Sequence, residues 1–469
     1  MNFSLFNQNL LLLLCAVATA LGVYLFLRYK LKWYFKRLPI ILAIASVIIV
    51  FTQIETGNVT DSANELPTLF WLMVAPFAIS FAYLVVVYAS RLLEIHPSRQ
   101  KKTARVLKAE HKLRQSRPHA WAIYPAASIL IVVALLFSLT QINDYYRAYP
   151  TIGSIFGQVS NPGSDQNQVI VQYNPTQGGP APQSSIEAFL TSLNAHTNGR
   201  LFKVSIPGTI SGFNARSAYV YEPAIALANS SIKLPVLILL AGVPGGPGNW
   251  ISGGALEATA DAFAKQHDGI TPIIFSVDDT GSAINDTECV NSARGNVETY
   301  LTVDVPNYIK SHFSVLPSAN NWAIGGLSMG GMCAVMLALR HPNVYHDFLD
   351  FGGEIGPEIG TKEHTLTTLF YNSISDYNAH LPYNLLKARN APWQYRGMGG
   401  FFADGNEDQS DVTSAEKKLY NISRSDGLNT VYETVDGKHT FEVWKENFKD
   451  ALPWLSNQLG ATECSADCY

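Results

Sequence analysis

A serine flanked by glycines, Gly326-Leu327-Ser328-Met329-Gly330, follows the apolar run Trp322–Ile324 and runs straight into an apolar helical pattern that ends near Arg340. A strand that turns sharply into a helix at such a serine lifts the hydroxyl clear of the sheet and leaves a helix N-terminus beneath it. Such a serine becomes a nucleophile only if a base removes its proton and a carboxylate orients that base. On a strand-turn-helix serine the partners follow in chain order, acid first and histidine last. Of the eleven histidines, only His439 lies beyond the last predicted strand, after the turn Asp436-Gly437-Lys438. It would serve as general base toward Ser328 and then as general acid toward the leaving group. The alternative for His439 is an idle histidine on a solvated loop.

The acid is expected after the strand predicted over Tyr395–Ala403. That stretch offers Asp404-Gly405-Asn406-Glu407-Asp408. Asp408, three residues beyond the turn glycine, is the first choice, with Glu407 and Asp404 as alternatives. The negative charge that develops on the carbonyl oxygen needs donors held in place beforehand. One is the N–H of Met329. The other is expected from the loop after the apolar run Leu234–Ala241, which reads Gly242-Val-Pro-Gly-Gly-Pro-Gly-Asn-Trp250. Pro244 and Pro247 have no N–H to give, which leaves Val243. The loop lacks the G-K-[ST] ending and the G-x-G-x-x-G register of phosphate-binding loops.

Something must bring these distant residues to one place. Leu201–Ile206 and Ala215–Tyr221 read as a hairpin. The uninterrupted apolar runs Leu234–Ala241 and Thr271–Val277 read as strands buried on both faces. Strands follow at Asn321–Leu327, Asp347–Phe351, Tyr395–Ala403 and Thr430–Val435. Helical patterns alternate with them at 255–266, 297–313, 330–340, 415–425 and Phe441–Leu459, and 362–390 reads as helical and irregular. This alternation predicts an α/β fold, a mostly parallel doubly wound sheet covered on both sides, with the opening hairpin at one edge. In a parallel sheet the segments leaving the carboxyl ends of the strands gather on one rim.

The first 142 residues have a different character. Four apolar stretches, roughly 9–27, 38–54, 67–89 and 119–141, are long enough to cross a bilayer. The first has no basic residue before it and a basic cluster after it, the reverse of a secretory leader. Arg28, Lys30, Lys32, Lys36 and Arg37 separate the first two. Arg91, Arg99, Lys101, Lys102, Arg105, Lys108, Lys112, Arg114 and Arg117 separate the last two. Basic loops stay on the cytoplasmic side, which predicts an extracytoplasmic location for everything after the fourth stretch. The expected layout is a four-span membrane anchor at 1–142, an extracytoplasmic linker at 143–199 and a catalytic domain at 200–469. The apolar stretches carry almost no ionisable residues, so they read as an anchor rather than a transport path.

A net charge of −4 argues against a nucleic-acid partner. Cys289, Cys333, Cys464 and Cys468 all fall in the part predicted to be extracytoplasmic, where disulfides persist. Cys289–Cys333 is one expected pair, against a free buried thiol at Cys333, and Cys464–Cys468 the other. No cluster of metal ligands is apparent.

Several segments in one order resemble a known family. They are Leu239-Leu-Ala-Gly-Val-Pro-Gly245 with Trp250, Asp286-Thr-Glu-Cys289 with Glu298-Thr-Tyr-Leu-Thr-Val-Asp-Val-Pro306, Gly326-Leu-Ser-Met-Gly-Gly331, and Gly437-Lys-His-Thr-Phe-Glu-Val-Trp444. Together, over roughly 200–460, they look like the putative esterase family of α/β hydrolases, which includes esterase D and the antigen 85-type mycolyltransferases. The combination with apolar spans looks like membrane-anchored esterase-like proteins of actinobacteria. The resemblance implies an α/β-hydrolase fold, catalysis by Ser328, His439 and a carboxylate, and no metal or cofactor. It also implies an ester or a lipid or glycolipid as substrate. The chain departs from mycolyltransferases in its Val-Pro-Gly-Gly-Pro-Gly loop and in offering an aspartate where they use a glutamate. The expectation is therefore a membrane-anchored serine esterase, with a cell-envelope acyltransferase and a catalytically inactive binding protein as alternatives.

Overall fold

The computed structural model describes residues 198–388 and 394–461, together with Tyr149, Val171–Gln172 and scattered residues between 40 and 143. Two compact units partition the chain, one of residues 4–58 and 62–145 and another holding 146–469. In the first, the described residues of 40–46, 78–86 and 129–143 are helical. Ile41, Ala45, Ala78, Ala82 and Val86 are buried together, while Ile79, Phe81, Val85, Ile129, Val132 and Leu135 are exposed. Most of the four apolar stretches lies outside the described residues, as do nearly all of 143–199 and both Cys464 and Cys468. Among the described residues no helix is long and apolar enough to cross a membrane.

The second unit is built on one sheet. In chain order its strands and helices are β1 (Val171–Gln172), β2 (Arg200–Val204), β3 (Ala218–Glu222), α1 (Ala224–Ala228), β4 (Val236–Leu240), α2 (Gly248–Ser252), α3 (Leu256–Gln266) and β5 (Ile273–Ser276). A short ribbon, β6 (Asn291–Ser292) and β7 (Gly295–Asn296), leads into an irregular helix, α4, made of Val297–Thr299, a wide turn at Tyr300–Asp304 and Val305–His312. Then come β8 (Trp322–Leu327), α5 (Met329–Arg340), β9 (Asp347–Phe351), α6 (Lys362–Leu369), α7 (Ile374–His380), α8 (Pro382–Leu386), β10 (Gly399–Gly405), α9 (Ser410–Ser425), β11 (Asn429–Val435) and α10 (Phe441–Gln458).

The sheet order is β1-β2-β3-β5-β4-β8-β9-β10-β11. From β5 to β11 every pairing is parallel, and β3 pairs antiparallel with both β2 and β5. The two-residue β1 lies outside the hairpin, parallel to β2, so the hairpin is not the edge that the sequence suggested. Strand β4 shows why these runs are continuously apolar. Val236, Ile238 and Leu240 enter one core layer with α4 and α5, while Leu237 and Leu239 enter the opposite layer with α3 and α10. Both faces are covered, so alternation along the strand runs apolar to apolar.

Several expected boundaries move. Tyr395–Met398 does not extend: Gly397 sits at φ +84° in a turn, and β10 begins at Gly399. The loop after β4 contains a helical turn, α2, which starts right after Pro247. Helix α9 starts at Ser410, five residues earlier than expected from its apolar pattern. Cys289 and Cys333 form a disulfide, with Cα atoms 5.8 Å apart, that ties the loop after β5 to α5.

Candidate active site

Ser328 stands between β8 and α5 at φ 55° and ψ −130°, a conformation that side chains rarely adopt. Its neighbours explain how the turn closes. A Cβ on Gly326 would lie 2.2 Å from the Gly330 carbonyl oxygen, and one on Gly330 would lie 2.3 Å from the Ala241 carbonyl oxygen. Only glycine fits at both positions. The Ser328 N–H donates to the Phe351 carbonyl of β9 at 3.0 Å, and the Ser328 carbonyl accepts from the N–H groups of Gly331 and Met332. The hydrogen bonds of α5 therefore begin beyond Met329, and its N–H is one of those a helix start leaves over.

Strands β8, β10 and β11 share one direction, so the segments leaving them meet on one rim. His439 Nε2 lies 3.0 Å from Ser328 Oγ, and His439 Nδ1 lies 3.0 Å from Asp408 Oδ2. Asp408 is fully buried on its side chain and the imidazole nearly so. Asp408 Oδ1 accepts the N–H of Gln409 at 2.7 Å, which fixes the carboxylate. Trp444, from α10, meets the imidazole edge-on at 4.8 Å. The other acids go elsewhere. Glu407 is exposed, and Asp404 accepts the Tyr432 hydroxyl at 3.1 Å.

Burial opposes a charge on the His439 imidazole. The hydrogen bond and charge of Asp408, with the charges of Glu354 and Asp411, outweigh it and raise its pKa above the ordinary histidine value. Burial, countered by His439 and reinforced by Asp286 and Asp411, pushes the Glu354 carboxyl up to about 7. A base must be neutral to accept a proton, so the acid limb of kcat/KM is expected to lie above the usual histidine range. Glu354→Gln removes a negative charge that favours the imidazolium. The limb should move to lower pH, and activity should survive further into acid. A pH–rate profile whose acid limb stays or rises in Glu354→Gln would contradict this assignment.

The loop after β4 lies against the serine. A Cβ on Gly242 would come 3.0 Å from Ser328 Cβ, which puts Val243 next to Ser328. The Val243 N–H takes no acceptor among the described residues. Its loop is braced throughout. Trp250 Nε1 donates to the Leu240 carbonyl at 2.7 Å, Gly246 N–H to Asn249 Oδ1 at 2.7 Å and Gly245 N–H to the Ala283 carbonyl at 2.9 Å. Arg216 donates to the Gly245 carbonyl at 2.9 Å and forms a two-pronged pair with buried Asp278. Sequence reasoning passed over Arg216 and Asp278. Their signal was there: one opens the predicted strand 215–221, the other follows the predicted strand 271–277, and antiparallel neighbours bring such ends together.

Two further segments quoted for the resemblance have separate places. Asp286 and Glu288 are buried in the loop that the Cys289–Cys333 disulfide pins down, and their charges reach Glu354. Glu298 lies at the other end of α5, where it pairs with Arg340, His341 and His380. Burial opposes its charge, but those three bonds hold its carboxyl well below the usual range. Its role is to anchor α5. Among the described residues no group of three histidine, cysteine or acidic side chains is placed to hold a metal ion.

The family described as "Putative esterase" matches residues 215–455, from Arg216 through the whole site to α10. The chain belongs to that esterase family. An uncharacterized protein of Corynebacterium glutamicum is 36% identical over 375 residues, 73% of this chain and 83% of that protein. The diacylglycerol acyltransferase/mycolyltransferase Ag85A of Mycobacterium leprae is 28% identical over 191 residues, which are 35% of this chain and 57% of Ag85A. Among solved structures a ferulic acid esterase, 18% identical, covers 56% of this chain and 99% of its own length with a TM-score of 0.49. The parallel sheet, the serine turn at the end of β8 and the family together make this esterase an α/β hydrolase. Its class is that of the serine hydrolases and acyltransferases.

Proposed function

We propose that this esterase-family chain cleaves carboxylic esters outside the cytoplasm through an acyl-enzyme, held to the membrane by its N-terminal unit. The observation that carries the reading is the continuous line Ser328 Oγ, His439 Nε2, His439 Nδ1, Asp408 Oδ2, with 3.0 Å at each hydrogen bond. His439 takes the Ser328 proton as Oγ attacks the ester carbonyl. Asp408 holds the tautomer in which Nδ1 carries the hydrogen and stabilises the imidazolium that forms. The Val243 and Met329 N–H groups face the carbonyl oxygen as it gains charge. When the tetrahedral intermediate collapses, His439 returns the proton to the leaving alcohol. A second hydroxyl, from water or an acceptor alcohol, then loses its proton to His439, attacks the acyl-serine and releases Ser328.

Which hydroxyl attacks decides between hydrolysis and transfer. The similarity to Ag85A, a diacylglycerol acyltransferase/mycolyltransferase by name, favours a lipid or sugar alcohol as a second reading. Anchoring is supported by the four apolar stretches, by the basic loops between them, and by exposed apolar side chains such as Phe81, Val85 and Val132 on the described helices.

A fluorophosphonate probe applied to the purified full chain tests the chemistry. The expected result is one adduct, on the peptide that carries Ser328, and release of alcohol from a chromogenic short-chain ester. A chain that is folded yet neither labelled nor hydrolytic would fit the inactive binding protein instead. Product analysis with added monoacylglycerol or trehalose separates the two active readings. A new acyl ester means transfer, and free acid alone means hydrolysis.

A further inference from the structure

We infer that Glu416, on α9 and away from the reacting groups, is a positioning residue. It grips the Phe351-Gly352-Gly353 turn, and that turn is the surface on which Ser328, His439 and Asp408 meet. The inference rests on the serine-hydrolase reading above.

The geometry of the turn carries the argument. Glu416 Oε1 accepts the N–H of Gly352 at 2.9 Å and that of Gly353 at 3.1 Å. The same turn touches every member of the triad. The Phe351 carbonyl accepts the N–H of Ser328 at 3.0 Å, and the Gly352 N–H also reaches the Ala403 carbonyl of β10, the strand that leads to Asp408. A Cβ on Gly352 would lie 3.3 Å from His439 Cε1 and 3.4 Å from Asp408 Oδ2. Gly352 adopts φ +70°, a value that suits glycine. A shift of this turn therefore moves the backbone of the nucleophile and the wall behind its base at once.

A second buried carboxyl lies against the same turn. Asp350, the residue before the turn, is fully buried, as is Glu416. Cβ atoms on Gly331 and on Gly353 would each lie 2.3 Å from Asp350 Oδ1, so its carboxyl is wedged between the turn and α5. Neither oxygen of Asp350 nor Oε2 of Glu416 has a hydrogen-bond partner among the described residues. Two carboxylates in one buried space repel, which disfavours ionising both. Burial pushes both well above the usual carboxylate range, and the nearby acids Asp404 and Glu354 push the same way. Among the described residues no lysine or arginine pairs with either one.

The test uses the full chain with Glu416→Gln, Glu416→Asp and Glu416→Ala, each assayed for kcat and KM on a chromogenic ester, for the rate of fluorophosphonate labelling and for thermal midpoint. The glutamine keeps a carbonyl oxygen for both glycine N–H groups, so it should stay close to wild type. Glu416→Asp withdraws the oxygen by one methylene with little change of polarity. It should lose about 10²-fold in kcat with KM unchanged, the scale on which a displacement of about 1 Å acts. Labelling should slow in parallel. Glu416→Ala should match it if it folds, and the aspartate variant decides the matter if it does not. A folded Glu416→Asp with wild-type kcat and labelling rate overturns the inference. So does a glutamine variant as impaired as the aspartate one. Failure of the underlying reading looks different: there the wild-type chain itself is not labelled at Ser328.

Discussion

Ser328→Ala is expected to lower ester cleavage by roughly 10⁶-fold, the scale seen when a triad nucleophile is removed, with complete loss of probe labelling. The loss comes from the bond that cannot form. Among the described residues no other hydroxyl hydrogen-bonds to His439 Nε2. The fold should survive, because the Ser328 backbone makes the structural contacts: its N–H meets Phe351 and its carbonyl caps the start of α5. The same residue allows a stability comparison. At φ 55° and ψ −130° a side chain costs about 1–3 kcal/mol of backbone strain. Glycine adds about 0.4–1 kcal/mol of entropy to the unfolded chain. Strain is the larger quantity, so Ser328→Gly should melt above Ser328→Ala while both remain inactive. Equal turnover in Ser328→Ala and wild type would end the nucleophile assignment. A lower melting point for Ser328→Gly would mean that neighbouring residues do not enforce the turn.

The sequence displayed the parts of this site that depend on local chemistry. A glycine two residues on each side of a serine, between an apolar run and a helical pattern, marks Ser328 because close approach of backbones admits nothing larger. His439 was legible from order alone, as a histidine past the last strand. Asp408 was one of three acids, and only the rim geometry separates it from buried, Tyr432-bound Asp404 and exposed Glu407. Strands β4, β5, β8 and β9 read almost directly, and in β4 a strand buried on both faces leaves an unbroken apolar run.

What stayed hidden depends on which strands are neighbours. Arg216 and Asp278 are far apart in the chain and meet because β3 lies beside β5. Glu416 looks like one more acid on the amphipathic helix α9. Nothing in its local pattern tells that β9 ends in a turn directly beneath it. Val171–Gln172 is too short to leave any periodic trace, and Tyr395–Met398 looks extended but turns at Gly397. Among the described residues the segment between β9 and β10 holds three short helices, α6 to α8, whose packing the sequence leaves open.

Asp408→Asn should cost about 10⁴-fold in kcat with little change in KM, as replacement of a triad aspartate does elsewhere. The imidazole can be held in two tautomers, and only one has its lone pair at Nε2 facing Ser328. Asp408 Oδ2, 3.0 Å from Nδ1, selects that tautomer because a carboxylate can only accept. An asparagine turned to donate would place the hydrogen on Nε2, and the base would then have no lone pair for the serine proton. It would also remove the largest favourable charge beside the imidazole, so the residual activity should show an acid limb at lower pH than wild type. Glu407→Gln, on the exposed neighbour, and Asp404→Asn, bonded to Tyr432, should leave kcat and the pH profile close to wild type. The three substitutions remove the same charge within five residues of one another. If Glu407→Gln lost as much activity as Asp408→Asn, the orienting acid would have to swing in from the surface when substrate binds, and the resting geometry of this rim would not be the catalytic one.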